Sequence, residues 1–139
     1  MKFYTLGYGG RKPEEFIGLL KKHGIKAVVD VRLYPHRSSL GIYAKSKDPN
    51  KGIERLLGEA DIQYFSFVEL GNIFLGFDDW PQRYQCLLDK AGNLLTARLP
   101  EVPQPFCLMC AEKDASECHR RLIADYLVGK GHQVEHLIV

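Results

Sequence analysis

The sequence has no apolar run that approaches the roughly 20 residues a membrane-spanning helix needs, which argues against a membrane partner. It has little charge imbalance: 19 Lys and Arg stand against 17 Asp and Glu, a net +2. So slight an excess neither demands a nucleic acid nor excludes one, and it favours a nucleotide-sized ligand over a long polyanion. No internal repeat, low-complexity tract or linker interrupts the chain, so residues 1–139 read as one domain. The N-terminal segment lacks the apolar core and small-residue cleavage site of a signal peptide, which predicts a cytoplasmic protein. There the four cysteines would be mostly reduced, and catalytic, redox and metal roles compete with plain burial. Two nucleotide motifs are also missing. Gly7-Tyr8-Gly9-Gly10 has no third glycine at the Rossmann spacing, and no Gly-Lys-Ser/Thr follows it as in a P-loop.

The chain does have enough apolar sequence, 45% of 139 residues, to bury a core. Phe3 to Leu6 reads as a strand, ended by the glycine-rich turn. Pro13, Glu14 and Glu15 open a helix with the stripe Phe16, Ile17, Leu19 and Leu20. Ile25 to Val31 is a second strand, apolar enough for burial on both faces. An irregular stretch from Leu33 to Gly52 precedes a short helix, Ile53 to Ala60, and a third strand, Ile62 to Val68. Trp80 to Leu95 reads as a helix, with Cys86 on its core side. Phe106 to Cys110 is a fourth strand, and Gln133 to Val139 a fifth. Strands alternating with helices predict an α/β fold: a single three-layer domain with a mostly parallel five-stranded sheet. The strand order 3-2-1-4-5, Rossmann-like, unites the polar turns, with strands 1 and 4 flanking the switch point where such sheets bind ligands. The order 2-1-3-4-5 is the alternative.

The chemistry concentrates between strand 4 and the last helix. Ser116 is a candidate N-cap, which would put Cys118, His119 and Arg120 in the opening turns of that helix. A helix terminus, an imidazole and a guanidinium would each favour a Cys118 thiolate, with Glu112 as a proton carrier if partly buried. Cys110 is the second candidate thiol, and the two could approach as a redox pair. Catalytic candidates are therefore Cys110, Cys118, Glu112 and His119. Candidate ligand-binding residues are Gly7, Gly9 and Gly10, for close backbone approach, with Ser38, Arg32 and Arg120 for an anion. Against this stands plain packing: buried cysteines, a tight glycine turn, and Arg32 paired with Glu69 or Glu112. Cys107, Cys110, Cys118 and His119 are also four potential zinc ligands, but Cys107 and Cys110 would point to opposite faces of their strand. Lys45, Lys47, Lys51, Arg37 and Arg55, with Tyr34, Tyr43, Phe74, Phe77 and Trp80 for stacking, are the features a nucleic acid would use.

Several of these pieces together resemble the "domain of unknown function 488" family. They are Thr5 to Gly10, Asp30-Val31-Arg32 with Pro35 and Ser38 beyond, Glu69-Leu70-Gly71, Cys110 to Asp114, and Cys118-His119-Arg120. Asn72 stands where the resemblance leads one to expect a second glycine. The resemblance implies one α/β domain and no established reaction, although its paired cysteines suggest an enzyme.

The leading expectation is a small cytoplasmic enzyme, a cysteine-dependent hydrolase, transferase or redox protein. Its Cys/Arg-lined pocket at the carboxyl ends of the strands would take an anionic small molecule or nucleotide. The alternatives are a non-catalytic nucleotide- or nucleic-acid-binding module and a structural zinc-containing protein. The sequence names no cofactor and no oligomeric state.

Overall fold

The computed structural model describes residues 1–138. Five strands alternate with four helices: β1 (Lys2–Gly7), α1 (Pro13–Lys22), β2 (Ala27–Asp30), α2 (Gly52–Gly58), β3 (Gln63–Ser66), α3 (Trp80–Leu95), β4 (Phe106–Cys110), α4 (Arg120–Gly129) and β5 (Gln133–His136). The expected fifth strand extended to Val139, which lies outside the described residues. All the strand pairs are parallel, and the order is β3-β2-β4-β1-β5.

The α/β class and the adjacency of strands 1 and 4 agree with the sequence reading; the order 3-2-1-4-5 does not. β4, not β1, pairs with β2, in a register that sets Asp30 opposite Met109. Phe-Cys-Leu-Met-Cys in β4 is buried at every position and takes the central place. β1 carries Lys2, which is exposed, and Thr5, whose hydroxyl lies 2.6 Å from His136 Nδ1 on the edge strand β5.

Side chains alternate along β4 between two cores. Cys107 and Met109 pack with Val28 under α1 and α2, against Phe16, Leu20, Ile53 and Leu57. Phe106, Leu108 and Cys110 pack with Val29 under α3 and α4, against Tyr84, Leu88, Ile123 and Leu127. α3 buries Tyr84 and Leu88, four residues apart, while Cys86 is exposed. The expectation that Cys86 lies in the core is therefore corrected: two residues from Tyr84 is about 200° around a helix.

Chain direction then fixes the site. From β1 the chain moves through β2 to β3 with its helices on one face, and afterwards moves through β4 to β5 with its helices on the other. The connections leaving β2 and β4 diverge to opposite sides, so the switch-point crevice lies between β2 and β4 rather than between β1 and β4. Beside it, the connections leaving β1 and β4 cross. Gly7 and Gly9 are required there, because a Cβ on Gly7 would strike the Glu112 carbonyl and one on Gly9 the Ala111 carbonyl.

Candidate functional site

A cavity of about 480 Å³ opens at the β2–β4 switch point, within the size range of small-molecule sites. Arg32, Leu33, Tyr34 and Arg37, which follow β2, form one wall. Cys110, which ends β4, and Ala111, Glu112 and Glu117 to His119 beyond it form the other. Tyr8, Asn72, Leu75 and Trp80 complete the lining.

The two cysteines meet at this wall, sulfur to sulfur, paired as a disulfide across eight residues of sequence. Local turns bring them together. Asp114 accepts hydrogen bonds from the Ser116 amide (2.9 Å) and hydroxyl (2.8 Å), and this turn starts a 3₁₀ segment, Ala115–Glu117. Cys118 follows in extended backbone, and α4 begins only at Arg120. Ser116 is therefore not the N-cap of the last helix, and Cys118 lies just before it. The Cys118 sulfur itself takes the Arg120 amide, at 3.4 Å.

His119 is fixed against the end of β2. Its Nε2 lies 2.8 Å from the Val31 carbonyl, which can only accept, so Nε2 carries the proton. The lone pair of Nδ1 then faces the Cys118 sulfur, 3.7 Å away. Burial lowers the His119 pKa to about 4; the carbonyls of Val31 and Leu70 oppose the shift, and the Arg120 charge adds to it. The imidazole is neutral near pH 7.

Arg120 is buried, 1% exposed. Its guanidinium bonds the carbonyls of Glu112 (2.5 Å) and Lys113 (3.2 Å), the Thr5 hydroxyl (3.4 Å) and the Cys110 sulfur (2.8 Å). It braces the β4–α4 loop from inside and does not line the cavity.

On the opposite wall, Asp30 is wholly buried and holds Arg32 through Nε (2.9 Å) and Nη2 (2.6 Å). Tyr64 donates to the same carboxylate at 2.5 Å. Burial disfavours the Arg32 cation, but the Asp30 hydrogen bonds and charge outweigh it, and the net pKa is raised. Arg32 Nη1 reaches the Tyr8 hydroxyl (3.3 Å), which donates to Ser38 (3.4 Å). Next to this chain, Asn72 is 2% exposed and accepts the Phe74 amide on Oδ1 at 3.0 Å. Its Nδ2 has no hydrogen-bond partner among the described residues.

A family model described as "Domain of unknown function DUF488" matches residues 12–127. The chain belongs to this family. Comparison with curated proteins and with solved structures finds no match. The match to the DUF488 model takes in both cavity walls, from Arg32 to His119, and stops short of the glycine turn and β5.

Of the residues singled out from this DUF488 sequence, the structure gathers Cys110, Cys118, His119, Glu112 and Arg32 at one cavity. Ser38 touches it through Tyr8. Glu112 is exposed, and it is the main-chain carbonyl that engages Arg120. Gly7 and Gly9 approach the protein's own chain: the amides of Tyr8 and Gly9 bond the carbonyls of Cys110 (3.1 Å) and Ala111 (2.9 Å). Gly10, at φ 68°, turns the chain into α1. Arg32 pairs with Asp30, not with Glu69 or Glu112; Glu69 pairs instead with Arg98 at 2.7 Å.

Cys107 faces the other core, away from Cys110. Among the described residues no three His, Cys, Asp or Glu side chains are gathered as a metal site. The basic loop is partly neutralised, since Lys45 pairs with Glu54 (3.1 Å) and Arg55 with Glu59 (2.7 Å). Tyr43, a stacking candidate, is buried with its hydroxyl on the Arg11 carbonyl. No helix among the described residues is long and apolar enough to cross a membrane.

Asp30, Tyr8 and Asn72 are parts of the site that the sequence did not single out. Asp30 had a signal: a carboxylate ending an otherwise apolar strand two residues before an arginine needs a buried partner.

Proposed function

We propose that this protein is a thiol–disulfide exchange enzyme whose Cys110–Cys118 pair reacts with a small anionic molecule bound between β2 and β4. The observation that carries the reading is the bonded contact of the two sulfurs at the wall of a ligand-sized cavity. A structural disulfide has no need of a cavity. This pair is flanked by a neutral imidazole on Cys118, suited to accept its thiol hydrogen when the pair is reduced. The opposing wall supplies what an anion requires. Arg37 offers a guanidinium lying 4.3 Å over the Tyr34 ring, and Asn72 a buried amide donor without a partner among the described residues. Trp80, Leu75 and Tyr34 provide apolar contact for the body of such a molecule.

The test is equilibration of the native protein in glutathione buffers of graded redox potential, followed by acid quenching and differential alkylation. Cys110 and Cys118 should convert together in one two-electron transition, and Cys110→Ser or Cys118→Ser should abolish it. If both thiols stay alkylatable in the oxidising buffers, or each forms only an independent mixed disulfide, the reading is wrong.

A further inference from the structure

The buried charge around the disulfide leans positive: on the opposite wall the Asp30 carboxylate is matched by Arg32, whereas the wall behind Cys110 carries guanidinium groups without a buried carboxylate among the described residues. Arg120 has four hydrogen-bond acceptors among the described residues, and none is a carboxylate. A second buried guanidinium acts on it: Arg11, 2% exposed, bonded through Nε to the Gly7 carbonyl at 2.8 Å, with both terminal nitrogens unpartnered among the described residues. Burial lowers the Arg120 pKa, and Arg11 lowers it further. The carboxylates that oppose this, Asp114 and Glu112, are exposed on the loop outside. On the helix side stands Arg121, exposed; on the edge strand stands His136, whose pKa is lowered by burial and by Arg120. His119 is neutral. Cys107 lies within the field of Arg120, but its complete burial pushes its thiol pKa up. Among the described residues, the one group in direct contact with the Arg120 guanidinium that can become an anion is Cys110, at 2.8 Å.

We propose that reduced Cys110 is the buried counter-ion of Arg120, a thiolate at neutral pH, and that the pair therefore acts as an oxidant whose substrates are small thiols. The inference rests on the thiol-exchange reading above and gives it a direction. Forming the disulfide removes the negative charge in contact with the Arg120 guanidinium, so the reduced state is favoured; stabilising the reduced form is what makes a disulfide oxidising. A substrate thiolate attacks Cys118 Sγ, the Cys110–Cys118 bond breaks, and its electron pair leaves on Cys110 Sγ beside Arg120. A second substrate thiol then attacks the mixed disulfide and releases Cys118, which keeps one proton. Two substrate thiols become one disulfide, the protein gains two electrons, one proton remains on Cys118 and one goes to solvent.

The experiment is a pH titration of the fully reduced protein, following ultraviolet thiolate absorbance, with iodoacetamide labelling and peptide mapping to assign each step. One cysteine, mapped to Cys110, should titrate below about pH 7, well under the free-thiol value of about 8.5. The step should persist in Cys118→Ser and vanish in Cys110→Ser. Arg120→Lys, which keeps the charge, should retain a lowered step. Arg120→Met, if folded, should move it up by at least one unit, a tenfold loss of thiolate. A Cys110 step near 8.5 in the reduced wild-type protein overturns the inference even if the pair exchanges with glutathione. A low Cys110 step in a protein that does not exchange overturns the redox function and leaves the counter-ion assignment standing.

Discussion

Asp30→Ala should be among the most damaging single substitutions in this fold. Asp30 is wholly buried, and Arg32, 7% exposed, donates to it from Nε and Nη2. Removing the carboxylate leaves a guanidinium in the interior with only the Tyr8 hydroxyl as a partner, and leaves the Tyr64 hydroxyl without its acceptor. Breaking a buried pair from one side costs about 3–5 kcal/mol, because the surviving charge is uncompensated. For a chain of this size that is roughly 10–15 °C in Tm. The pair itself is worth much less, since its attraction is largely offset by desolvation. Asp30→Ala with Arg32→Met should therefore recover most of the loss, leaving a deficit of about 1–2 kcal/mol from the unpaired Tyr64 hydroxyl. Urea unfolding of the wild type, both single variants and the double variant closes the cycle. A loss below about 1 kcal/mol in Asp30→Ala, or a double variant as unstable as the two singles summed, would refute the buried-pair argument.

Two further outcomes follow from the same neighbourhood. Gly7→Ala should cost about 3 kcal/mol or more, since the new Cβ meets the Glu112 backbone carbonyl, which cannot move without displacing the β4–α4 loop; equal urea midpoints would show that the loop yields freely. His119 has a folded pKa of about 4 against 6.5 for the free group, so the unfolded chain binds its proton first as pH falls. The associated stability, about 3 kcal/mol at most, is fully present above pH 6.5 and is lost on descending towards pH 4. His119→Gln should flatten that part of the stability–pH curve, and an unchanged slope would place the proton uptake elsewhere.

The alternation of strands and helices was legible because each segment has a clear period: Phe16 and Leu20 on α1, Tyr84 and Leu88 on α3, and unbroken apolar runs in β2 and β4. The exchange of β1 and β4 was not, because both strands are almost entirely buried and the periodicity of either suits a central place. Side-chain turn chemistry hid the true start of α4: Ser116 is a good cap by type, but the Asp114 carboxylate captures its amide and makes a separate turn. The cavity was anticipated in its cysteines and in Arg32. The glycines were read as backbone making room for a ligand, when the crossing of two connections needs that room. Arg120 looked like a ligand residue because a two-pronged guanidinium was expected at the start of a helix, whereas its side chain turns inward to four acceptors among the described residues. Asp30, Tyr8 and Asn72 lie on different segments, and only tertiary contact relates them.

The exchange chemistry depends on a bond between Cys110 and Cys118, and peptide mapping of the air-oxidised native protein shows whether that bond forms. Trypsin cuts after Arg98, Lys113 and Arg120, which places the two cysteines on separate peptides, Leu99 to Lys113 and Asp114 to Arg120. The structure predicts one cross-linked species of these two peptides, with fragmentation assigning the bond to Cys110 rather than Cys107, and its disappearance on reduction. Recovery of both peptides unlinked from oxidised protein, or a linkage that uses Cys86 or Cys107, would contradict the pairing and the exchange chemistry built on it.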